Sequence, residues 1–233
     1  MKTKLLPVLL GVVALTTTAF AQTPDATTPP PDAAALHQRG IELLQQKNAK
    51  EAVECAEQAT KADPTKPEYF SQLGIALSQR INEVNFMQIP AISSKMRKAF
   101  EKSVALDPNH IAGLIGLTRF YANAPEIAGG SLEKAAEFAQ RVQKIDPFLG
   151  ATELGRVAEK GEDLPAALTH YEAACQLKPD SAGAHNACGR VLAALGRKDD
   201  ARTHLEAALK LNPELESAKK ALAALNAPPA EKK

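Results

Sequence analysis

A proline-terminated motif recurs along this chain at nearly regular spacing. A helix-like stretch ends each time at a polar residue followed by proline, at Pro64, Pro108, Pro147, Pro179 and Pro213. The distances between successive prolines are 44, 39, 32 and 34 residues. Because proline disfavours a helical conformation in the residue before it, each motif marks the end of a helix. A period near 34 residues is typical of a solenoid built from helix-turn-helix units.

A small residue also recurs within the first helix of each predicted unit. Gly189 lies inside the helical pattern "ACGRVLAALGRKDDA", although a glycine there costs about 1 kcal/mol relative to alanine. The equivalent positions are Gly40, Gly74, Thr118 and Gly155. We expect the second helix of each unit to cross close to this position, so that packing offsets the cost. Gly196 is expected to end the first helix in a left-handed conformation.

These patterns resemble the tetratricopeptide repeat (TPR) family over residues 34–213, most specifically in "AGAHNACGRVLAALGRKDDARTHLEAALKLNP". The resemblance implies an all-α, right-handed TPR solenoid of about five helix-turn-helix repeats. The predicted domain covers residues 34–226 and includes a C-terminal capping helix over 214–226, since a solenoid end needs a cover. Two insertions, near 80–95 and 124–131, are expected between the two helices of a repeat, with Ser131 capping the helix that follows.

The first insertion carries four large apolar residues, Phe86, Met87, Ile89 and Ile92. They either form a binding loop or pack back on the solenoid. Packing is favoured, because large exposed apolar patches are uncommon on soluble proteins.

The N-terminal segment predicts export. Residues 1–21 combine two lysines, an apolar run too short to span a bilayer and the triplet Ala19-Phe20-Ala21, which is the pattern of a cleaved signal peptide. An uncleaved anchor is the alternative. The segments 22–33 and 227–233 are predicted to be a disordered, Pro/Thr-rich linker and a disordered tail. The expected location is periplasmic or secreted, with no stable membrane insertion after cleavage.

The net charge and the absence of known motifs argue against several classes of function. Without Lys2 and Lys4, 26 basic residues face 27 acidic ones, and a net charge of about −1 lacks the basic surface of a nucleic-acid-binding protein. The sequence has no nucleophile elbow, phosphate-binding loop or metalloprotease motif, so neither enzymatic activity nor a cofactor is predicted. The five histidines lack the spacing of metal ligands, and His185 is expected to be a half-buried packing residue.

The three cysteines are interpreted mainly as small apolar core residues. Cys175 and Cys188 lie on neighbouring predicted helices, about one helical turn out of register for a disulfide. A bridge between them is therefore the less favoured alternative. Cys55 lies in another repeat.

The TPR resemblance implies that the residue after each small position lines a concave groove. These residues are Ile41 and Ile75, followed by Arg119, Arg156 and Arg190. The aliphatic pair predicts an apolar N-terminal half, and the arginines, with Asn186 one turn before Arg190, predict contacts to an acidic segment. The alternative is that the arginines are structural. Glu153 can form an ion pair with Arg156 in its own helix and should face Arg119 of the preceding repeat, so these arginines would form salt bridges within the protein and not contact a ligand.

The predicted function is a non-catalytic protein–protein interaction scaffold in the cell envelope, binding a peptide or protein segment as a monomer. The groove lacks the lysines of the carboxylate clamp by which some TPR proteins hold chaperone tails, which speaks against that role. The alternative is an accessory small-ligand-binding subunit of a solute uptake system.

Overall fold

The computed structural model describes residues 32–226, which fold into eleven α-helices without a strand. The predicted signal peptide, nearly all of the linker and the tail lie outside this range. The helices are α1 Ala33–Gln45, α2 Ala49–Ala62, α3 Pro67–Arg80, α4 Ile89–Leu106, α5 Ile111–Asn123, α6 Leu132–Ile145, α7 Pro147–Lys160, α8 Leu164–Leu177, α9 Ala182–Ala194, α10 Lys198–Leu211 and α11 Glu216–Asn226. None of them combines the length and hydrophobicity needed to cross a membrane.

Consecutive helices pack in five hairpins, α1–α2 to α9–α10, and α11 packs against the last one. The first helices also contact one another from hairpin to hairpin, as α1 does with α3, α3 with α5 and α5 with α7. This arrangement confirms the predicted all-α solenoid of five repeats and a capping helix. Each second helix ends before its proline motif, as predicted. At Asp146 the two helices meet, because this residue ends α6 and also caps α7 by accepting a hydrogen bond from the Leu149 N–H at 2.9 Å.

Small residues let the helices of each hairpin approach closely. A Cβ atom placed on Gly189 would lie 2.6 Å from Cγ of Leu205, which is fully buried in α10. Alanines such as Ala167 and Ala201 are likewise fully buried between helices. Gly196 follows α9 with φ of +79°, the predicted left-handed residue.

The first insertion lies between α3 and α4, the helices of the second hairpin, and the second insertion lies between α5 and α6, the helices of the third hairpin. In the first, the expectation that all four apolar residues pack back is wrong in part. Ile92 packs against the core, whereas Phe86 and Met87 are 81% and 77% exposed because they lie in a turn that no helix covers. After the second insertion, the hydroxyl of Ser131 caps α6 by accepting a hydrogen bond from the Lys134 N–H at 3.2 Å.

Candidate functional site

The residues that follow the small positions divide between two pockets on the first helices. Arg119 of α5, Arg156 of α7 and Arg190 of α9 line one pocket of about 480 Å³. Ile41 of α1 and Ile75 of α3 line another of about 450 Å³. The structure thus gathers the three arginines at one place and the two isoleucines at another.

A buried carboxylate organises the arginine pocket. Glu153 of α7 is 2% exposed and accepts hydrogen bonds from Arg119, whose Nε lies 3.2 Å from both carboxylate oxygens and whose Nη2 lies 2.5 Å from Oε1. This hydrogen bonding raises the pKa of Arg119 above its ordinary value. Nε of Arg156 is 3.7 Å from Oε1 of the same carboxylate, beyond hydrogen-bond distance. Glu153 therefore neutralises Arg119 and leaves Arg156 only loosely paired.

A second carboxylate holds the third arginine. Arg190 donates from Nη1 and Nη2 to the two carboxylate oxygens of Glu159, at 3.0 and 3.1 Å. The hydroxyl of Tyr171 donates to Oε2 of Glu159 at 2.9 Å. Burial, with this carboxylate beside it, raises the pKa of the Tyr171 hydroxyl far above its ordinary value. Arg190 lacks an acid in its own helix, and the structure supplies one from α7.

The second pocket is lined by both apolar and polar side chains. Gln72 of α3 donates from Nε2 to the backbone oxygen of His37 at 2.7 Å, and its Oε1 lies 2.7 Å from Nδ1 of the His37 ring. These bonds tie α1 to α3, and both residues line the pocket together with Ile41 and Ile75. Ile75 is 39% exposed, so it is available for contact with a ligand.

Family models match both ends of the described chain. Residues 33–66 and 182–215 match models described as tetratricopeptide repeat, and residues 159–196 match one described as TPR repeat. The chain belongs to the tetratricopeptide repeat family. TPR proteins are in general non-catalytic interaction scaffolds, which supports a protein–protein interaction scaffold as the general role of this chain.

Solved structures agree with this TPR fold. The chain is 18% identical to TTC0263, a thermophilic TPR protein of Thermus thermophilus, covering 83% of this chain and 98% of that one with a TM-score of 0.68. It is 16% identical to PilF of Pseudomonas aeruginosa, covering 83% and 88% with a TM-score of 0.59. It is 22% identical to MamA of Desulfovibrio magneticus RS-1, covering 82% and 99% with a TM-score of 0.53. At these identities the likeness shows the fold alone, and no curated protein gives a significant match.

Asn186 does not line the arginine pocket of this TPR protein. Its Nδ2 donates to the hydroxyl of Ser217 in α11 at 3.1 Å, and its Oδ1 is buried without a hydrogen-bond partner. The side chain therefore contacts the capping helix, although the sequence places it one turn before Arg190.

The cysteines and histidines near the C-terminal end also differ from expectation. The register predicted for Cys175 and Cys188 is wrong, because their Sγ atoms lie 3.5 Å apart, although both are free thiols. The hydrogen bond between them lowers the pKa of Cys175 and raises that of the buried Cys188. His185 is half-buried as expected, but its Nδ1 lies 3.2 Å from Nδ1 of His204. Sequence spacing could not predict these two contacts, since the cysteines and histidines that make them come from three helices, α8, α9 and α10.

Proposed function

We propose that this TPR protein is an exported, non-catalytic scaffold that binds an acidic peptide or protein segment at its arginine pocket. The observation that carries the proposal is the balance of charge in the pocket lining. Four cationic side chains, Arg119, Arg156, Lys160 and Arg190, stand against two carboxylates, Glu153 and Glu159. Four positive and two negative charges leave an excess of two positive charges.

The excess charge is concentrated on two side chains. Arg119 and Arg190 are each hydrogen-bonded to a carboxylate of the pocket, whereas Arg156 stands at 3.7 Å from Glu153 with its side chain 56% exposed. Within residues 32–226, Lys160 has no ion pair within 4 Å. A guanidinium presents a planar fork that fits a carboxylate, so Arg156 is the first contact we assign to the ligand. Such a contact, made at a half-exposed site, stabilises a complex modestly.

The apolar pocket extends this proposal toward the N-terminal repeats. Ile41 and Ile75 offer aliphatic surface on α1 and α3, on the same set of first helices as the arginines. We expect a ligand that spans both pockets to place apolar side chains there and its acidic residues at Arg156.

Export is the part of the proposal that rests on residues 1–21, which lie outside the described range. Two lysines, an apolar run and Ala19-Phe20-Ala21 support a cleaved signal. Mass spectrometry of the protein recovered from envelope and culture fractions should find an N-terminus at Gln22. Recovery of intact chain from the cytosol alone would contradict export.

The binding proposal is tested with charge-matched variants. The variant R156Q/K160Q removes the excess charge of the pocket, and R197Q/R202Q removes two exposed arginine charges from the α10 region, outside it. The probes are two fluorescein-labelled peptides with alternating leucine, one carrying glutamate and the other lysine. Fluorescence anisotropy at low salt should show binding of the glutamate peptide, weakened about tenfold by R156Q/K160Q, which corresponds to about 1.4 kcal/mol. The variant R197Q/R202Q should bind as the unmodified protein does.

Equal affinities of both variants would contradict the assignment of the pocket. Equal affinity for the two peptides would contradict the preference for acidic ligands. A rise in melting temperature with small carboxylic acids, without peptide binding, would instead favour an accessory ligand-binding subunit of a solute uptake system.

A further inference from the structure

Three metal-ligating side chains meet where the fourth and fifth hairpins pack together. Cys175 of α8, His185 of α9 and His204 of α10 each present one ligand atom, and the three atoms all lie within 4.8 Å of one another. All three side chains are half-buried. In the described range, 32–226, this is the one group of three such Cys, His, Asp or Glu side chains so close together.

We propose that Cys175, His185 and His204 bind a Zn²⁺ ion. Zn²⁺ prefers cysteine sulfur and histidine nitrogen in tetrahedral geometry. Two nitrogens bound to one tetrahedral Zn²⁺ lie about 3.3 Å apart, since each Zn–N bond is about 2.0–2.1 Å. The Nδ1 atoms of His185 and His204 lie 3.2 Å apart in the structure. The imidazoles therefore already hold the mutual spacing that the ion requires.

The neighbouring groups orient these ligands. The backbone oxygen of Pro179 lies 3.1 Å from Nε2 of His185, so the ring donates its proton there and leaves Nδ1 free to bind an ion. A histidine that binds a metal usually donates its other N–H to such a carbonyl. The thiol of Cys188, 3.5 Å from the sulfur of Cys175, can donate a hydrogen bond to a metal-bound thiolate. Cys188 is a positioning residue, not a member of the ligand group.

Binding has a simple proton balance. Without an ion, Nδ1 of His204 donates a hydrogen bond to the unprotonated Nδ1 of His185. Zn²⁺ takes the place of that proton, which passes through solvent to Nε2 of His204 so that the ring stays neutral, and the thiol of Cys175 releases its proton to solvent. A water molecule completes the tetrahedron at the fourth position.

The bound ion would join three consecutive helices. Each repeat of a solenoid contacts only its neighbours, and the last hairpin packs mainly against α8 and α11. Because the ion binds the folded arrangement and not the unfolded chain, it should raise the melting temperature. This inference is independent of the arginine pocket, since the two sets of residues do not overlap.

The test uses the full mature chain, kept reduced so that Cys175 and Cys188 stay free. Competition with a chromophoric chelator should give one bound Zn²⁺ per chain, and Co²⁺ should show the thiolate-to-cobalt charge-transfer band of a cysteine ligand. The substitutions C175S, H185Q and H204Q should each weaken Zn²⁺ binding at least about 100-fold, the upper end of the effect of losing an outer-shell partner. C55S and H170Q are matched controls outside the group and should bind as the unmodified chain does.

Folding of every variant is checked by far-UV circular dichroism with chelator present. Zn²⁺ should raise the melting temperature of the unmodified chain and of both controls, but not of C175S, H185Q or H204Q. Absence of one-to-one binding by the unmodified chain would overturn the proposal. So would folded H185Q or H204Q chains that keep the affinity of the unmodified protein.

Discussion

Replacing Gly189 with alanine tests the close packing on which each hairpin depends. The new Cβ would lie 2.6 and 2.8 Å from two carbon atoms of Leu205 and 3.1 Å from the backbone oxygen of Ala201. Leu205 is fully buried, so it cannot move aside into solvent. Gly183 in the same helix provides the matched control, because its Cβ would meet nothing closer than the Ser181 hydroxyl at 3.9 Å.

The two substitutions should change stability in opposite directions. Overpacking a core costs about 1–3 kcal/mol, and contacts below 3 Å with a fixed neighbour place G189A in the upper half of that range. Alanine recovers about 1 kcal/mol of helix propensity. G189A should therefore lose about 1–2 kcal/mol of unfolding free energy, while G183A should gain about 0.5–1 kcal/mol.

Urea denaturation followed by circular dichroism measures both variants, and L205A provides a second background. L205A alone should cost about 2–5 kcal/mol through the cavity it leaves. In that background the two contacts with Leu205 disappear and only the 3.1 Å contact with the Ala201 oxygen remains, so most of the G189A penalty should disappear. A G189A chain as stable as G183A, or an unchanged penalty in the L205A background, would refute the packing argument.

Three further substitutions test single local interactions. G196A should lose about 1–2 kcal/mol, measured by urea denaturation, because φ of +79° strains any side chain there although a Cβ would have open space. S131A removes the hydroxyl that caps the Lys134 N–H and should lose about 1 kcal/mol in the same assay. T65A should raise the pKa of Asp63 in an NMR titration, because hydrogen bonds from the side chain and backbone of Thr65 lower that pKa. The lowered pKa favours the folded state above the ordinary pKa of Asp63, and this contribution disappears as pH falls through the lowered value.

Much of the fold follows from short-range chemistry that a sequence displays directly. Pro64, Pro108 and Pro213 each disfavour a helical conformation in the residue before them, which ends the preceding helix. Gly189 lowers helix propensity, and this cost is offset only where a second helix packs closely against it. The period of the motif then dictates the stacking of hairpins. Insertions break the period only locally, because Arg80 and Ile89 still end and begin the two helices of one hairpin.

Of the two arginine–carboxylate contacts that join different repeats in the arginine pocket, only one was predicted from the sequence. Arg119 and Glu153 are one full period of 34 residues apart, so their meeting was foreseeable. Arg190 and Glu159 are 31 residues apart, and a search within one helix misses them. Comparing each residue with those one period away, plus or minus one helical turn, would have found this pair.

The grouping of side chains on α8, α9 and α10 could not be predicted from the sequence, for a different reason. Metal-site patterns recognise ligands within one helix or turn, whereas Cys175, His185 and His204 come from three helices. Their meeting depends on the stagger of α8 against α9. Because a helix advances about 1.5 Å per residue, a register wrong by one turn moves a sulfur by about 5.4 Å. That error separates two cysteines that the structure places 3.5 Å apart.

The two carboxylates of the arginine pocket differ in how readily a ligand can replace them. The side chain of Glu153 is 3% exposed, so releasing Arg119 to a ligand would leave a buried charge without its partner, which is strongly unfavourable. The side chain of Glu159 is 28% exposed and keeps the hydroxyl of Tyr171 as a hydrogen-bond donor when Arg190 leaves. In the proposed complex, an acidic segment therefore engages Arg156 first and then competes for Arg190. Arg119 stays bound to Glu153 and serves as structural support for the pocket.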